Sequence, residues 1–174
     1  MKTKQPEVSS VSSVSPVLKA LVFAQAESPA QLAQARELFL EYAQSLGFSL
    51  CFQNFDQELA SLPGGYAPPD GRLLLAECDG NVVGCVALHK LEPGICEMKR
   101  LYLRPTMRGK GLGQILANRI IAEARQIGYG RMRLDTVEPV MKDAVAMYRK
   151  LGFKEIAPYC PNPMSGVIYM ELQL

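Results

Sequence analysis

The run Arg108-Gly109-Lys110-Gly111-Leu112-Gly113 is the stretch of this chain best suited to chemistry. Its glycines let main-chain N–H groups approach a guest with no Cβ in the way. Arg108 and Lys110 add full positive charges beside them. An apolar-periodic run follows at once, so the loop opens into a helix. The first helical N–H groups have no partner within the helix, and the aligned peptides leave roughly half a positive charge there. Such a loop is an anion site, and a phosphate or pyrophosphate is the guest it suits. Two familiar nucleotide patterns fail on spacing. The Walker A pattern needs G-x-x-x-x-G-K-[ST], but Leu112 follows Gly111. The dinucleotide pattern G-x-G-x-x-G fails at Gln114 counted from Gly109, and at Leu116 counted from Gly111. The bland alternative is a strand–turn–helix connection whose glycines serve only packing.

Positive charge is concentrated here. Lys99, Arg100, Arg104, Arg108 and Lys110 lie close together in a chain whose net charge is only +2. That balance suits a small anionic ligand better than a polymer, and no basic stripe interleaved with aromatics argues for nucleic acid. At 174 residues, with 48% apolar and 21% charged residues, the chain reads as one soluble globular domain. The cysteines are Cys51, Cys78, Cys85, Cys96 and Cys160, an odd number without a C-x-x-C pair. This excludes a disulfide framework and a zinc site of ordinary spacing, and predicts a reducing cytoplasm. No apolar run is long enough to span a bilayer, and no apolar segment before Ser15 reads as a secretory signal.

The elements that must position the loop follow from periodicity. Residues 1–16 read as a disordered tail, and 17–174 as a single domain. Val17 to Ala26 is a first strand. Ser28-Pro29-Ala30-Gln31 combines capping-box spacing with proline at the first helical position. Leu32, Ala35, Phe39, Tyr42 and Leu46 then mark an amphipathic helix closed by Gly47. A short helix is predicted over Gln53 to Leu62. Strands are predicted at Arg72–Cys78 and Val82–His89, joined at Asp79-Gly80, and at Ile95–Leu103. A helix over 111–127 follows, capped by Gly128. The strand Arg131–Val137 then runs parallel to 95–103 as a crossover unit. Val140, Ala144, Met147 and Leu151 mark another helix, and Phe153–Ala157 and Val167–Leu172 are the last strands. The order is β-α-α-β-β-β-α-β-α-β-β, a mixed α/β sheet with helices on both faces.

R-x-x-G-x-G, read as Arg108, Gly111 and Gly113, preceded by the strand ending Arg100-Leu101-Tyr102-Leu103-Arg104-Pro105, resembles the pyrophosphate loop of the GNAT superfamily of acyl-CoA-dependent N-acetyltransferases. The element order matches the GNAT fold over about residues 17–173, most tightly from Glu97 to Phe153. The resemblance implies acetyl-CoA as cosubstrate and no metal. It implies that Arg108, Gly109, Lys110, Gly111, Leu112 and Gly113 hold the pyrophosphate. Along Leu101, Tyr102 and Leu103 the family's sheet splays, and main-chain groups of Leu101 and Leu103 pair with the pantetheine arm. Many relatives carry an asparagine shortly after the strand at 131–137. Asp135-Thr136-Val137-Glu138-Pro139-Val140-Met141-Lys142 has none, so Thr136 or Lys142 is expected to replace it.

Acetyl transfer needs a neutral amine. At pH 7 an amine of pKa about 10.4 is neutral in roughly one molecule in 2,500, a cost of about 4.6 kcal/mol. A general base therefore helps, as does a proton donor for the leaving thiolate. Glu97, eleven positions before Arg108, matches the offset of the family's base. The alternative is a strand carboxylate paired with Lys99 or Arg131. Tyr148 lies in Ala144-Val-Ala-Met-Tyr148-Arg-Lys-Leu-Gly152-Phe153, which is similar to the segment whose tyrosine faces the CoA sulfur. The alternative is a ring packed at the edge of an apolar helix face. Arg100, Tyr66, Tyr159 and Asn162 are acceptor-site candidates, and an arginine there would suit an acceptor bearing a carboxylate. His89 is the sole histidine, read either as a surface residue or as part of the acceptor site. The expected acceptor is a small-molecule amine, with no nucleic acid or membrane as partner and a homodimer left open. A protein N-terminus or lysine as acceptor is a second reading, and a non-catalytic CoA-binding module a third.

Overall fold

The computed structural model describes residues 21–174, apart from the side chain of Phe52. The expected tail and residues 17–20 of the first strand lie outside the described residues. In order come β1 (Leu21–Gln25), α1 (Pro29–Leu46), α2 (Phe55–Ser61), β2 (Arg72–Cys78), β3 (Asn81–Glu92), β4 (Ile95–Leu103), α3 (Leu112–Ile127), β5 (Arg131–Val137), α4 (Lys142–Lys150), β6 (Lys154–Ile156) and β7 (Val167–Gln173). Among the described residues the strands form a seven-stranded sheet ordered β1-β2-β3-β4-β5-β7-β6. The pairing is antiparallel except between β4 and β5. This is the mixed sheet that the element order predicts.

Local chemistry sets the boundaries. Ser28 accepts from the Gln31 N–H, and the Gln31 side chain accepts from the Ser28 N–H, so both halves of the capping box close α1 at its start. Asp79 (φ 51°) and Gly80 (φ 77°) make the two-residue turn between β2 and β3, whose paired positive φ values match the twist of the strands. The consecutive leucines of β2 are buried on alternate faces. Leu73 and Leu75 join the core under α1 and α2, while Leu74 joins the core under α3 and α4. A strand covered on both sides reads as a continuous apolar run for this reason. Leu116, Ile120 and Ala124 bury the inner face of α3 against Val86, Met98 and Met132.

Several boundaries differ from the sequence reading, most by a residue or two at a strand end, such as β6 at Lys154–Ile156 in place of 153–157, and three by more. The helix predicted over 53–62 is divided: a single 3-10 turn at Cys51–Gln53 is followed by Asn54, whose φ of 54° interrupts the chain before α2. Val140 lies before α4, in the turn that leads into it, and is exposed. Strand β3 continues past His89 to Glu92 because Glu92 still pairs opposite Ile95.

Candidate active site

Strand β4 places the site, through one irregularity. Lys99 pairs opposite Ala87 and Tyr102 opposite Cys85, so Arg100 and Leu101 together face only Val86. This two-against-one bulge holds Arg100 at φ 58°, a conformation that costs a side-chain-bearing residue about 1 kcal/mol or more. Strict alternation would send Arg100 toward α3. The bulge instead brings Lys99 and Arg100 to the same side, facing α2, while Met98 and Leu101 face α3. Arg100 is 4% exposed. Its Nε donates to Glu58 Oε1 at 2.9 Å, its Nη2 donates to Glu58 Oε2, and its Nη1 donates to Gln53 Oε1 at 3.0 Å. The guanidinium carbon also lies 5.2 Å from the centre of the Phe55 ring. Tyr66 Oη donates to Glu58 Oε1 at 2.6 Å. Burial alone would raise the Glu58 carboxyl, but Arg100 and Tyr66 outweigh it and hold the group below its ordinary value.

The parallel pairing of β4 with β5 ends at Glu97 opposite Arg133. Beyond it the two strands diverge. The resulting cleft is lined by Met98 to Leu101 on one side and by Leu134 to Val137 on the other, with Met141, Tyr148 and Asn162 at its margins. Tyr148 is nearly buried, its ring 5.6 Å from that of Phe153. Its hydroxyl has no hydrogen-bond partner among the described residues, and burial pushes its pKa upward, so it is a free donor at the cleft wall.

Past the end of β4, a 3-10 turn at Pro105–Met107 leads into Gly109 (φ 74°) and Gly111 (φ 76°), with Gly111 the N-cap of α3. A Cβ on either glycine would meet nothing within 4 Å. The turn satisfies Met107 N–H and Arg108 N–H, and the helix resumes its bonds at Ile115 N–H. The consecutive amides from Gly109 to Gln114 have no main-chain partner among the described residues. Neutral protein groups do not cap them, and the helix dipole adds to their field.

On the other side of β4, Glu97 is 4% exposed and directly opposite His89 in register. His89 Nε2 lies 2.6 Å from Glu97 Oε2, and Tyr159 Oη donates to Glu97 Oε1 at 2.8 Å. Lys99 Nζ is 3.8 Å from the carboxylate, and Arg131 pairs with Glu171 instead. Burial would raise the Glu97 carboxyl, but His89, Lys99 and Tyr159 together hold it below its ordinary value. A hollow of about 300 Å³ opens beside this cluster, lined by α2 residues, by Gly64 to Tyr66, and by His89, Glu97 and Lys99. Lys99 and Gln53 line both the hollow and the cleft, so the two spaces meet at β4.

Several expected roles need correction. Arg100 is not a free cation for an acceptor carboxylate, because Glu58 already holds its guanidinium. Arg108 folds back: its Nε donates to the Leu103 carbonyl at 2.9 Å and its guanidinium lies over the Tyr102 ring. Of the strand residues expected along the arm, Leu101 lines the cleft. Tyr102 packs under α1 with its ring edge-on to Tyr42, and Leu103 pairs with Gly84 of β3. Lys142 opens α4 and is not part of the cleft wall, whereas Thr136 lines the cleft and donates to Met141 Sδ. Asn162 lines the cleft, not the hollow, with its Nδ2 donating to Asp135 Oδ2 at 2.8 Å. Tyr66 lines the hollow with its hydroxyl engaged by Glu58. Glu58, Gln53, Lys99 and Tyr42 were not among the sequence candidates. Their places depend on contacts across the fold that no local spacing announces.

Comparison with known proteins agrees with this geometry. The model of the acetyltransferase (GNAT) family matches residues 32–153. The chain belongs to the GNAT family. An uncharacterized N-acetyltransferase of Schizosaccharomyces pombe is 44% identical over 148 residues, which cover 84% of this GNAT chain and 90% of that protein. An IAA acetyltransferase of Azospirillum brasilense is 40% identical over 112 residues, covering 62% of this chain and 71% of the relative. Among solved structures, the yncA acetyltransferase of Salmonella typhimurium, determined with its cofactor acetyl-CoA, shares the fold. Its TM-score is 0.64 at 22% identity, over 88% of this chain and 94% of that one. The GNAT sheet, the splayed β4–β5 cleft and the unpartnered amides therefore belong to an acyl-CoA-dependent N-acetyltransferase.

Proposed function

We propose that this enzyme transfers an acetyl group from acetyl-CoA to the primary amine of a small molecule. The observation that carries the reading is the row of unpartnered amides from Gly109 to Gln114, set beside a cleft whose wall bears the unbonded Tyr148 hydroxyl. The acetyl-CoA bound in a structure of the same fold supports the choice of donor. When bound, acetyl-CoA supplies the activated acetyl thioester. The loop amides and Lys110 bind its pyrophosphate, and main-chain groups of Met98 to Leu101 receive the arm where β5 no longer pairs with β4. The Tyr148 hydroxyl donates a proton to the departing sulfur. From the hollow, the Glu97 carboxylate draws the acceptor's ammonium toward the junction with the cleft. Its lowered pKa makes it a stronger electrostatic anchor than base, so the amine loses its proton to water or buffer more readily than to Glu97.

A hollow of about 300 Å³ has the volume of a small acceptor, which is why the reading favours one over a protein segment. The test is free-thiol release from acetyl-CoA against a panel of small amines and N-terminal or lysine peptides. The reading expects turnover with small amines, and turnover confined to peptides would contradict it.

A further inference from the structure

Lys99 is a cation of this site that the protein pairs only loosely, through one long ion pair to Glu97. Its side chain is 18% exposed, so most of its hydration is gone. Yet the nearest carboxylate oxygen, Glu97 Oε2, is 3.8 Å away, beyond hydrogen-bond length, and no hydrogen bond holds any of its N–H donors among the described residues. A lysine this enclosed ordinarily has its donors met. Neighbouring Arg100 differs, since each of its three guanidinium nitrogens donates to Glu58 or Gln53. Glu97 also differs, with one oxygen taken by His89 and the other by Tyr159, though each retains acceptor capacity toward the hollow. The Lys99 ammonium therefore stands at the junction of hollow and cleft, beside a carboxylate, with donors to spare.

We propose that Lys99 anchors a carboxylate of the acceptor, and that the acceptor is an amino acid or a close analogue whose carboxylate adjoins the amine that is acetylated. This rests on the reading of the chain as an acetyltransferase of small amines. The spacing makes the argument. A group bound by Lys99 lies within one side chain of the cleft, so the acetylated amine must be close to it. Lys99 and Glu97 present opposite charges 3.8 Å apart. An α-amino acid offers the inverse pair, an ammonium and a carboxylate about 3 Å apart across a single carbon. Its carboxylate on Lys99 and its ammonium on Glu97 would complete a four-charge arrangement around two side chains that are themselves largely buried. The remainder of the hollow, with Asn54, Gln57 and Ser61 on its α2 wall, receives the acceptor's side chain and favours a polar one.

The test compares matched acceptor pairs, each an amino acid with its decarboxylated amine, for example glutamate with 4-aminobutyrate and alanine with ethylamine. Acetyl-CoA-dependent thiol release would be measured for wild type, Lys99→Met and Lys99→Arg. Wild type should favour the α-carboxylate member of each pair by at least about tenfold in kcat/KM, mainly through KM. Lys99→Met should reduce that ratio to near one, and Lys99→Arg should restore most of it. Equal use of both members by wild type, or a ratio unchanged in Lys99→Met, would overturn the anchor while leaving the acetyltransferase reading intact. No thiol release with any amine would overturn both. Thermal melting of each variant with acetyl-CoA identifies a loss that comes from unfolding; the wild-type pairs decide the proposal without any variant.

Discussion

Tyr148 and Glu97 stand on opposite sides of the point where β4 leaves β5, and their environments assign them different work. The Tyr148 hydroxyl is buried, protonated and without a hydrogen-bond partner among the described residues, so it is a donor without a competing partner. Tyr148→Phe removes that donor and little else. Steady-state kinetics should show kcat reduced about 100-fold, in the range usual for a general acid, with acetyl-CoA affinity within about twofold. An unaltered kcat would remove the tyrosine from the reaction. Glu97 is ionised throughout the neutral range because its partners lower its pKa. The rise of rate between pH 6 and 9 should therefore follow deprotonation of the acceptor amine, not of Glu97. Glu97→Gln should lower kcat/KM by about tenfold or more without shifting that rise. A profile whose rising limb disappears in Glu97→Gln would show that the carboxyl titrates as the base after all.

At the scale of elements, α2 matters through one ion pair. Its Glu58 meets the Arg100 that the bulge has turned toward it, and this ties a short helix to the strand that carries both spaces of the site. Glu58→Gln leaves a buried guanidinium without its carboxylate, and urea denaturation should report a loss of about 3–5 kcal/mol. The double variant Glu58→Gln/Arg100→Met should recover part of that loss, because a methionine brings no uncompensated charge. A double variant no more stable than Glu58→Gln would show that the pair is not the tie. The bulge was not legible in the sequence, since Arg100 gives no sign of a positive φ, and its partner lies 42 positions away. Boundaries governed by local chemistry were legible. The limits of β2, β4 and β5 coincide with their alternating or continuous apolar runs, and Ser28 with Gln31 announced the start of α1. Where a local signal was overruled, the reason is physical. Val140 fits the apolar spacing of α4, but the turn after β5 must close through Val137 before the helix begins.

At the scale of the molecule, two cores on either face of the sheet leave a cleft between β4 and β5, with the loop at one end and the hollow behind. The glycine loop at the start of α3 was legible because its glycine spacing is local. The Glu97–His89–Tyr159 cluster was not, because it joins three strands or loops and is assembled only by the fold. That cluster and Glu58 also couple folding to acid. Both carboxyls have folded pKa values below their ordinary 4.5, so their stabilisation is complete above that pH and is lost as pH falls through the lower folded values. Unfolding free energy should decline between about pH 4.5 and 2, and the decline should be shallower in Glu58→Gln/Glu97→Gln. Equal slopes in the two proteins would place the acid sensitivity elsewhere. The most direct test of the whole account is calorimetric titration of acetyl-CoA into wild type and Gly111→Val, whose side chain would enter the open space before the α3 amides. One site per chain, weakened at least about tenfold in the variant, is the predicted result. No heat with wild type, or undiminished affinity in a folded Gly111→Val, would contradict it.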